Sequence, residues 1–305
     1  MKKLTITTCP ICGGTQLRPH LTCVDHLATG EMFQLFLCAQ CGMLLTQDAP
    51  TQEEIGAYYA TPDYISHSDT RRGLTNRLYH YAREWMLRRK AQLVARAAQR
   101  PTGRLMDLGA GTGHFAHHMA QGGWDVTAIE PDAGARAFAQ AHFGLELKPI
   151  DALGQVEEGS LDVITLWHVM EHIHRLDETW DLLHSLLTPE GVLVVAVPNW
   201  RSNDARHYGA YWAAYDVPRH LWHFTPSTIQ QLASAHGFAM AERRPMPLDA
   251  FYASILSERY MRHPLPLLRG LAYGLVAWIN SWGRKDRSSS MTYVFRKKTS
   301  PGRLH

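Results

Sequence analysis

The 305-residue chain has no apolar run long enough to cross a bilayer. The uncharged, apolar stretch between Arg269 and Arg284 makes about four helical turns, short of the roughly 20 residues a spanning helix needs. A secretory signal is not expected either. The few residues between Met1-Lys2-Lys3 and Cys9 leave no room for its apolar segment, so the expected location is cytoplasmic, at most peripheral to the inner face of the membrane. Five cysteines are an odd count for a disulfide framework. Four of them stand as two Cys-x-x-Cys pairs, which in a reducing compartment points to metal rather than disulfides. Cys23, the fifth, reads as a small buried hydrophobe. No internal repeat is present, and with 45% hydrophobic residues the chain is neither disordered nor fibrous.

Net charge is small, +3, but unevenly spread. Residues 71–104 carry ten Arg or Lys, among them Arg71, Arg72, Arg77, Arg88, Arg89 and Lys90, against Glu84 alone. Such a stripe suits an anionic partner, whether a phosphate-bearing substrate, an acidic membrane face or RNA. It suits a solvated helix face equally well.

The length favours one large α/β domain with a small appendage. Residues 1–48, turn-rich and holding both cysteine pairs, form the appendage. Residues 49–100 form a tyrosine-bearing connection and a basic helix, with apolar residues recurring at 74, 78, 81 and 85; residues 101–249 form the core. Residues 250–289 read as a helical insertion rich in Leu, Tyr and Trp, and 290–305 as a final strand and basic tail. Short apolar runs near 104–108, 124–129, 145–149, 161–167, 191–197 and 238–245 alternate with helical stretches, the pattern of a parallel sheet covered on both faces. A turn at Thr188-Pro189-Glu190-Gly191 precedes the fifth run, and 291–296 is placed to close the sheet.

The segment from Arg104 to Phe115 runs from an apolar strand into Asp107-x-Gly109-x-Gly111-x-Gly113 and then a helix. Glycines let the backbone turn tightly and approach a ligand closely. The dinucleotide fingerprint G-x-G-x-x-G would need glycine at 114, where His stands, so a nicotinamide cofactor is disfavoured. The spacing resembles motif I of S-adenosylmethionine (SAM) methyltransferases, over about residues 100–245. That resemblance implies a Rossmann-like, seven-stranded α/β sheet with helices on both faces, and SAM as cofactor. It assigns Asp107, Gly109, Gly111 and Gly113 to the cofactor. Glu130, at the next strand end, would take the ribose hydroxyls, and Asp151 with Ala152 the adenine. Leu166-Trp-His168-Val-Met-Glu171-His172 is similar to the segment after the fourth strand of ubiquinone-type small-molecule methyltransferases, which carries a Glu-His pair. His168 is placed at the cofactor by that likeness, and Val197-Pro198-Asn199 fits the same group.

Residues 211–226 concentrate polar aromatics beyond the fifth strand, at the carboxyl edge where α/β sheets bind ligands. Methyl transfer from a sulfonium is an in-line displacement, so the protein must align nucleophile and methyl and remove a proton where the nucleophile carries one. Neutral imidazole suits that task, which makes His220, His172 and His223 the candidate bases; structural packing is the alternative for each. His220 and His223 are also candidate metal ligands lacking a third partner. Asp-x-Pro-Arg-His-Leu-x-His-Phe-Thr, starting at Asp216, resembles a motif of bacterial polysaccharide-pathway methyltransferases. It is similar, more distantly, to the Glu-His-Phe-x-x-Phe-Ser segment of zinc-containing sugar C-methyltransferases. By that likeness the base is His220. Arg219 replaces their Glu, which argues against C-methylation and leaves an arginine to hold a phosphate. Tyr58, Tyr59, Tyr64 and His67 are candidate lid residues, with packing between modules as the alternative.

Cys9-Pro-Ile-Cys12-Gly and Cys38-Ala-Gln-Cys41-Gly match two zinc knuckles, a closed four-cysteine site for structural Zn2+ with no open position for chemistry. The expected function is SAM-dependent methyl transfer to a small molecule, a sugar, glycan or lipid-linked intermediate of envelope polysaccharide biosynthesis. The alternative is an RNA or protein methyltransferase using the zinc module and basic helix for recognition. Against that alternative, no Asn-Pro-Pro-Tyr-like amide-methylating motif occurs. A third expectation is SAM binding without catalysis, or peripheral membrane contact through residues 250–285.

Overall fold

The structure, a computed structural model, describes residues 2–59, 74–246, 248–283 and 285–298. The side chains of 74–79, 283 and 285 are outside that description. The amino-terminal part is built from β1 (Lys3–Leu4), β2 (Leu17–Val24), β3 (Met32–Cys38), β4 (Leu44–Thr46) and β5 (Ala49–Pro50). After the connection come α1 (Leu74–Ala98), β6 (Arg104–Leu108), α2 (His114–Gln121), β7 (Asp125–Ile129), α3 (Ala133–Phe143) and β8 (Leu161–Trp167). Then follow α4 (Leu176–Leu186), β9 (Leu187–Pro198), α5 (Asn203–Tyr208), β10 (Trp222–His223), α6 (Pro226–Ala235) and β11 (Phe238–Pro245). The chain ends in α7 (Asp249–Tyr260), α8 (Pro266–Gly283) and β12 (Ser290–Lys297).

The main sheet has the order β11-β12-β9-β8-β6-β7. The strands β7, β6, β8 and β9 run parallel, while β12 is antiparallel to both β9 and β11. Residues 192–197 of β9 are buried without interruption, as expected of a strand covered on both faces. The apolar run at 145–149 gives no full strand: Lys148 makes a single parallel bridge to Ile129. Pro149 removes a donor there, and the chain turns directly into the 3-10 helix Ile150–Gln155. The expected turn at 188–191 is absorbed into β9, which begins at Leu187. Its register on β8 shifts between Leu161 and Val163, so these four residues bulge. In α1 the buried side chains are Leu93, Val94 and Ala97, toward its carboxyl end, and Tyr81 is exposed. The helix expected from the spacing at 74–85 is present, and the side chains at 74 and 78 lie outside the described residues.

The amino-terminal module is not closed on itself. Its sheet has the order β10-β4-β3-β2, so its edge strand is borrowed from residues 222–223. Phe33, Leu35 and Leu44 of the module share a core with Tyr208, Trp212, Tyr215 and Val217. The histidine-bearing loop after β9 thus folds as part of the cysteine module.

Candidate active site

Motif I lies at the carboxyl edge of β6, where its glycines all take positive φ. A Cβ at Gly109 (φ +73°) would stand 2.4 Å from Val169 Cγ2, and one at Gly113 (φ +79°) 3.0 Å from Ala139 Cβ. These two glycines let the loop pack on the segment after β8 and on α3. Gly111 faces open space, where a ligand can reach the backbone. Asp107 is buried and accepts a 2.6 Å hydrogen bond from Thr165 Oγ1; burial pushes its carboxyl up to about 7. Glu130 accepts from the N–H groups of Gly111 at 2.7 Å and Asp132 at 2.9 Å, so its carboxylate already braces the glycine loop. Asp151, exposed, and Ala152, half-buried, lie on the 3-10 helix that follows the Lys148 bridge.

His168 follows β8 in the left-handed region (φ +59°), a strained position for a histidine. Its Nε2 lies 3.0 Å from Asp249 Oδ2 and its Nδ1 3.4 Å from Glu171 Oε1. Burial alone would lower its pKa, yet these two carboxylates raise it to about 10, so the ring is cationic. Lys90 of the basic stripe points inward, its Nζ 4.3 Å from the Trp167 ring centre. Other members of the stripe are paired within the chain: Arg88 with Glu84 at 3.0 Å, Arg100 with Asp162 at 2.7 Å and Arg96 with Glu242 at 3.7 Å. Arg71 and Arg72 lie outside the described residues, as does the side chain of Arg77.

Glu171, His172 and His220 meet beside this edge. One ligand atom from each lies within 4.8 Å of the others. The Glu171 carboxylate is fully buried, and neither oxygen makes a hydrogen bond among the described residues. An unsatisfied buried carboxylate is costly, and the cationic His168 beside it explains how it persists: although burial pushes its pKa up, His168 brings it below the usual value. His172 Nδ1 sits 3.1 Å from the Arg219 carbonyl, and His220 Nδ1 2.9 Å from the Ala214 carbonyl. A carbonyl only accepts, so in each ring the proton is on Nδ1 and the Nε2 lone pair is bare. Burial, followed by the neighbouring His220, holds His172 down at about 4, so it is neutral near pH 7. His220 Nε2 lies 4.0 Å from Glu171 Oε1 and 3.8 Å from Asp216 Oδ2. Two bare imidazoles and a carboxylate in this arrangement can serve as a proton acceptor and its counter-ion, or hold a divalent cation.

The third candidate base is set apart. His223 is buried on β10, where its Nε2 is 3.0 Å from Thr46 Oγ1; that hydroxyl in turn donates to the His220 carbonyl at 2.6 Å. Its role there is to join β4 to the loop that carries His220. Arg219 is likewise unavailable to a phosphate. It is 1% exposed: its Nη2 donates to Asp25 Oδ1 at 2.8 Å and Asp216 Oδ1 at 2.6 Å, and its Nη1 to the Tyr58 carbonyl at 3.0 Å. Of the lid candidates, Tyr58 is buried with its hydroxyl on Glu31, and the Tyr59 hydroxyl is 2.9 Å from His172 Nδ1. Tyr64 and His67 lie outside the described residues.

The four knuckle cysteines converge, with Sγ separations of 3.5 Å for Cys9 and Cys41 and 3.6 Å for Cys12 and Cys38. Sulfurs bound at about 2.3 Å around one tetrahedral zinc would be roughly 3.8 Å apart, so the set fits that ion. Gly13 (φ +69°) and Gly42 (φ +77°) supply the left-handed residue each knuckle requires. Burial opposes ionisation of Cys38, but backbone N–H groups of Cys41 and Gln40 outweigh it and lower its pKa.

Compared with known proteins, the chain matches a family described as a methyltransferase domain over residues 80–243, more than half its length. The chain belongs to that family. The methyltransferase is 30% identical over 148 residues to a ubiquinone biosynthesis O-methyltransferase of Rhodopseudomonas palustris (strain HaA2), covering 45% of this chain and 58% of that one. It is 34% identical over 103 residues to the enzyme of the same description from Caulobacter sp. (strain K31), covering 32% and 41%. The match thus spans less than two thirds of these relatives' own length. Among solved structures, a putative sarcosine dimethylglycine methyltransferase from Galdieria sulphuraria superposes with a TM-score of 0.51 at 16% identity, over 73% of this chain and 88% of that one, which speaks for the fold. Membership gives the chain a methyltransferase domain over residues 80–243.

Sequence reasoning missed the inward role of Lys90, and it missed Thr46, Asp25 and Asp249. Asp249 opens α7 and reads locally as an ordinary acid at a helix start. Asp25 and Thr46 act on residues nearly two hundred positions away, for which a single sequence carries no signal.

Proposed function

We propose that the methyltransferase transfers the SAM methyl group to a hydroxyl of a small molecule in the glycan or lipid-linked class of envelope intermediates, with His220 as base. The observation that carries it is the Glu171-His172-His220 group, a bare imidazole nitrogen beside a buried carboxylate next to motif I. The acceptor oxygen bonds to the methyl carbon as the carbon–sulfur bond breaks, S-adenosylhomocysteine leaves neutral, and the acceptor proton passes to His220 Nε2. Glu171 and Asp216 stabilise the imidazolium so formed. His172, held by the Arg219 carbonyl, keeps its own bare nitrogen toward the same space. Asp107, Gly109, Gly111, Gly113, Glu130, Asp151, Ala152 and His168 are the residues proposed to hold SAM. The relatives described as O-methyltransferases support oxygen as the acceptor atom.

Zinc at Cys9, Cys12, Cys38 and Cys41 has a positional role in this proposal. It fixes the knuckles, the knuckles fix β3 and β4, and β4 holds the His220 loop through β10 and Thr46. Of the basic stripe, which favoured an RNA or protein acceptor, Arg88, Arg96 and Arg100 are engaged in ion pairs within the chain and Lys90 points inward, and the RNA alternative is not carried further.

The test is calorimetric titration of the zinc-loaded protein with SAM, followed by transfer of labelled methyl to a panel of catechols, nucleotide sugars and polyprenol-linked sugars. The expected result is micromolar SAM binding and label on the oxygen of a panel member. Absence of SAM binding would sink the proposal; label on nitrogen or carbon would correct the acceptor.

A further inference from the structure

Helix α8 is amphipathic in the reverse sense. Its buried side consists of Gly270, Gly274, Ala277 and Ser281, packed on α7 so closely that a Cβ on Gly270 would lie 2.4 Å from Ile255 Cα and one on Gly274 2.8 Å from Phe251 Cα. Its outer side is large and apolar: Leu267, Leu268, Leu271, Leu275, Ile279 and Trp282 are each between 42% and 64% exposed. A helix whose surroundings are water does the opposite, burying its large apolar residues and presenting polar ones. Small residues inward and large apolar residues outward are what a helix shows when the medium around it is itself apolar. The apolar stripe runs the length of the 18-residue helix, roughly 27 Å, far beyond the scattered apolar residues of an ordinary surface.

The charges around the stripe indicate which apolar medium. Between residues 250 and 283 the acidic residue is Glu258, which is buried and bound by Arg269 and His263; the exposed charged residues are Arg259, Arg262 and Arg269. An apolar stripe rimmed by cations and ending in an exposed tryptophan complements an anionic bilayer surface. A two-fold partner copy would set the same cationic rim against itself. No described helix is long and apolar enough to cross a membrane, so the geometry is that of a helix lying in the interface. We propose that α8 docks the enzyme on an anionic lipid surface, its leucine stripe in the acyl boundary and Arg259 and Arg262 at the headgroups. This surface is independent of the acceptor proposed above.

The test is flotation of the full-length, zinc-loaded protein with vesicles of phosphatidylcholine containing about one third phosphatidylglycerol, in parallel with vesicles of phosphatidylcholine alone. The wild-type protein is expected to float with the anionic vesicles. The pair Leu271→Glu and Leu275→Glu should lower the bound fraction roughly tenfold or more, with SAM affinity unchanged as the control for folding. The pair Arg259→Gln and Arg262→Gln should weaken binding to anionic vesicles specifically. Absence of flotation, or flotation indifferent to the leucine substitutions, would overturn the proposal. So would a dimer seen by light scattering that those substitutions dissolve while vesicles stay unbound, since the face would then join two copies.

Discussion

His220→Ala is expected to lower methyl-transfer turnover by about 10²–10⁴-fold, the usual worth of a positioned general base. SAM affinity should be nearly unaffected, because the cofactor edge is built from β6, β7 and β8 and the loops that follow them. The same loss is expected in a single turnover, where product release does not contribute. Alanine removes the ring and its bond to the Ala214 carbonyl, while the bond from Thr46 Oγ1 to the backbone carbonyl of residue 220 stays to hold the loop. His172→Ala is expected to cost less, since that ring orients and does not take the proton. Equal losses for both would make the pair act as a unit, and full turnover in His220→Ala would refute the assignment.

The second large effect concerns stability. Arg219→Met leaves Asp25 and Asp216 as unpaired carboxylates in a buried place, which costs about 3–5 kcal/mol and should lower Tm by on the order of 10 °C. The pH dependence has a definite sign. Burial pushes the Asp25 carboxyl up, but in the native protein hydrogen bonds from Arg219 and Thr29 outweigh it and hold it below the usual range. A depressed carboxylate contributes stability above its unfolded value of about 3.9, and that contribution is lost as pH falls through the folded value. In the variant the bond from Arg219 is gone and those from Thr29 are left alone against burial, so the Asp25 carboxyl rises and its penalty, present at neutral pH, is relieved on acidification. The gap in Tm between wild type and variant should therefore narrow from pH 8 to pH 5 in a fluorimetric melt. A gap independent of pH would show that the loss comes from packing of the arginine stem rather than from charge.

The reach of the sequence can be traced through these residues. Motif I, the strands that flank it and the knuckle cysteines are local patterns, in which a few neighbouring residues dictate a turn, a strand or a ligand pair. The structure brings these parts together with little change. The Glu-His pair after β8 was visible for the same reason. Partnerships made across the fold were not. Arg219 reads as a free cation in a loop, and its burial becomes visible once Asp25, 194 positions earlier, is beside it. His223 reads as a twin of His220, yet alternation along the two residues of β10 and the contact with Thr46 give it another task. The third strand failed on a local detail, Pro149, which the apolar pattern outweighed. The helical insertion was legible as helix, whereas its reversed polarity needed the contact with α7 to show which side was buried.

The central claim is that the cysteine module holds the catalytic loop in place. Hydrogen–deuterium exchange of the zinc-loaded and metal-stripped protein tests it without need of an acceptor. Stripping the metal should deprotect residues 44–46 together with 211–224, while 104–113 stays protected and SAM still binds. Unchanged protection of 211–224 after metal removal would contradict the account, as would parallel loss of protection at 104–113.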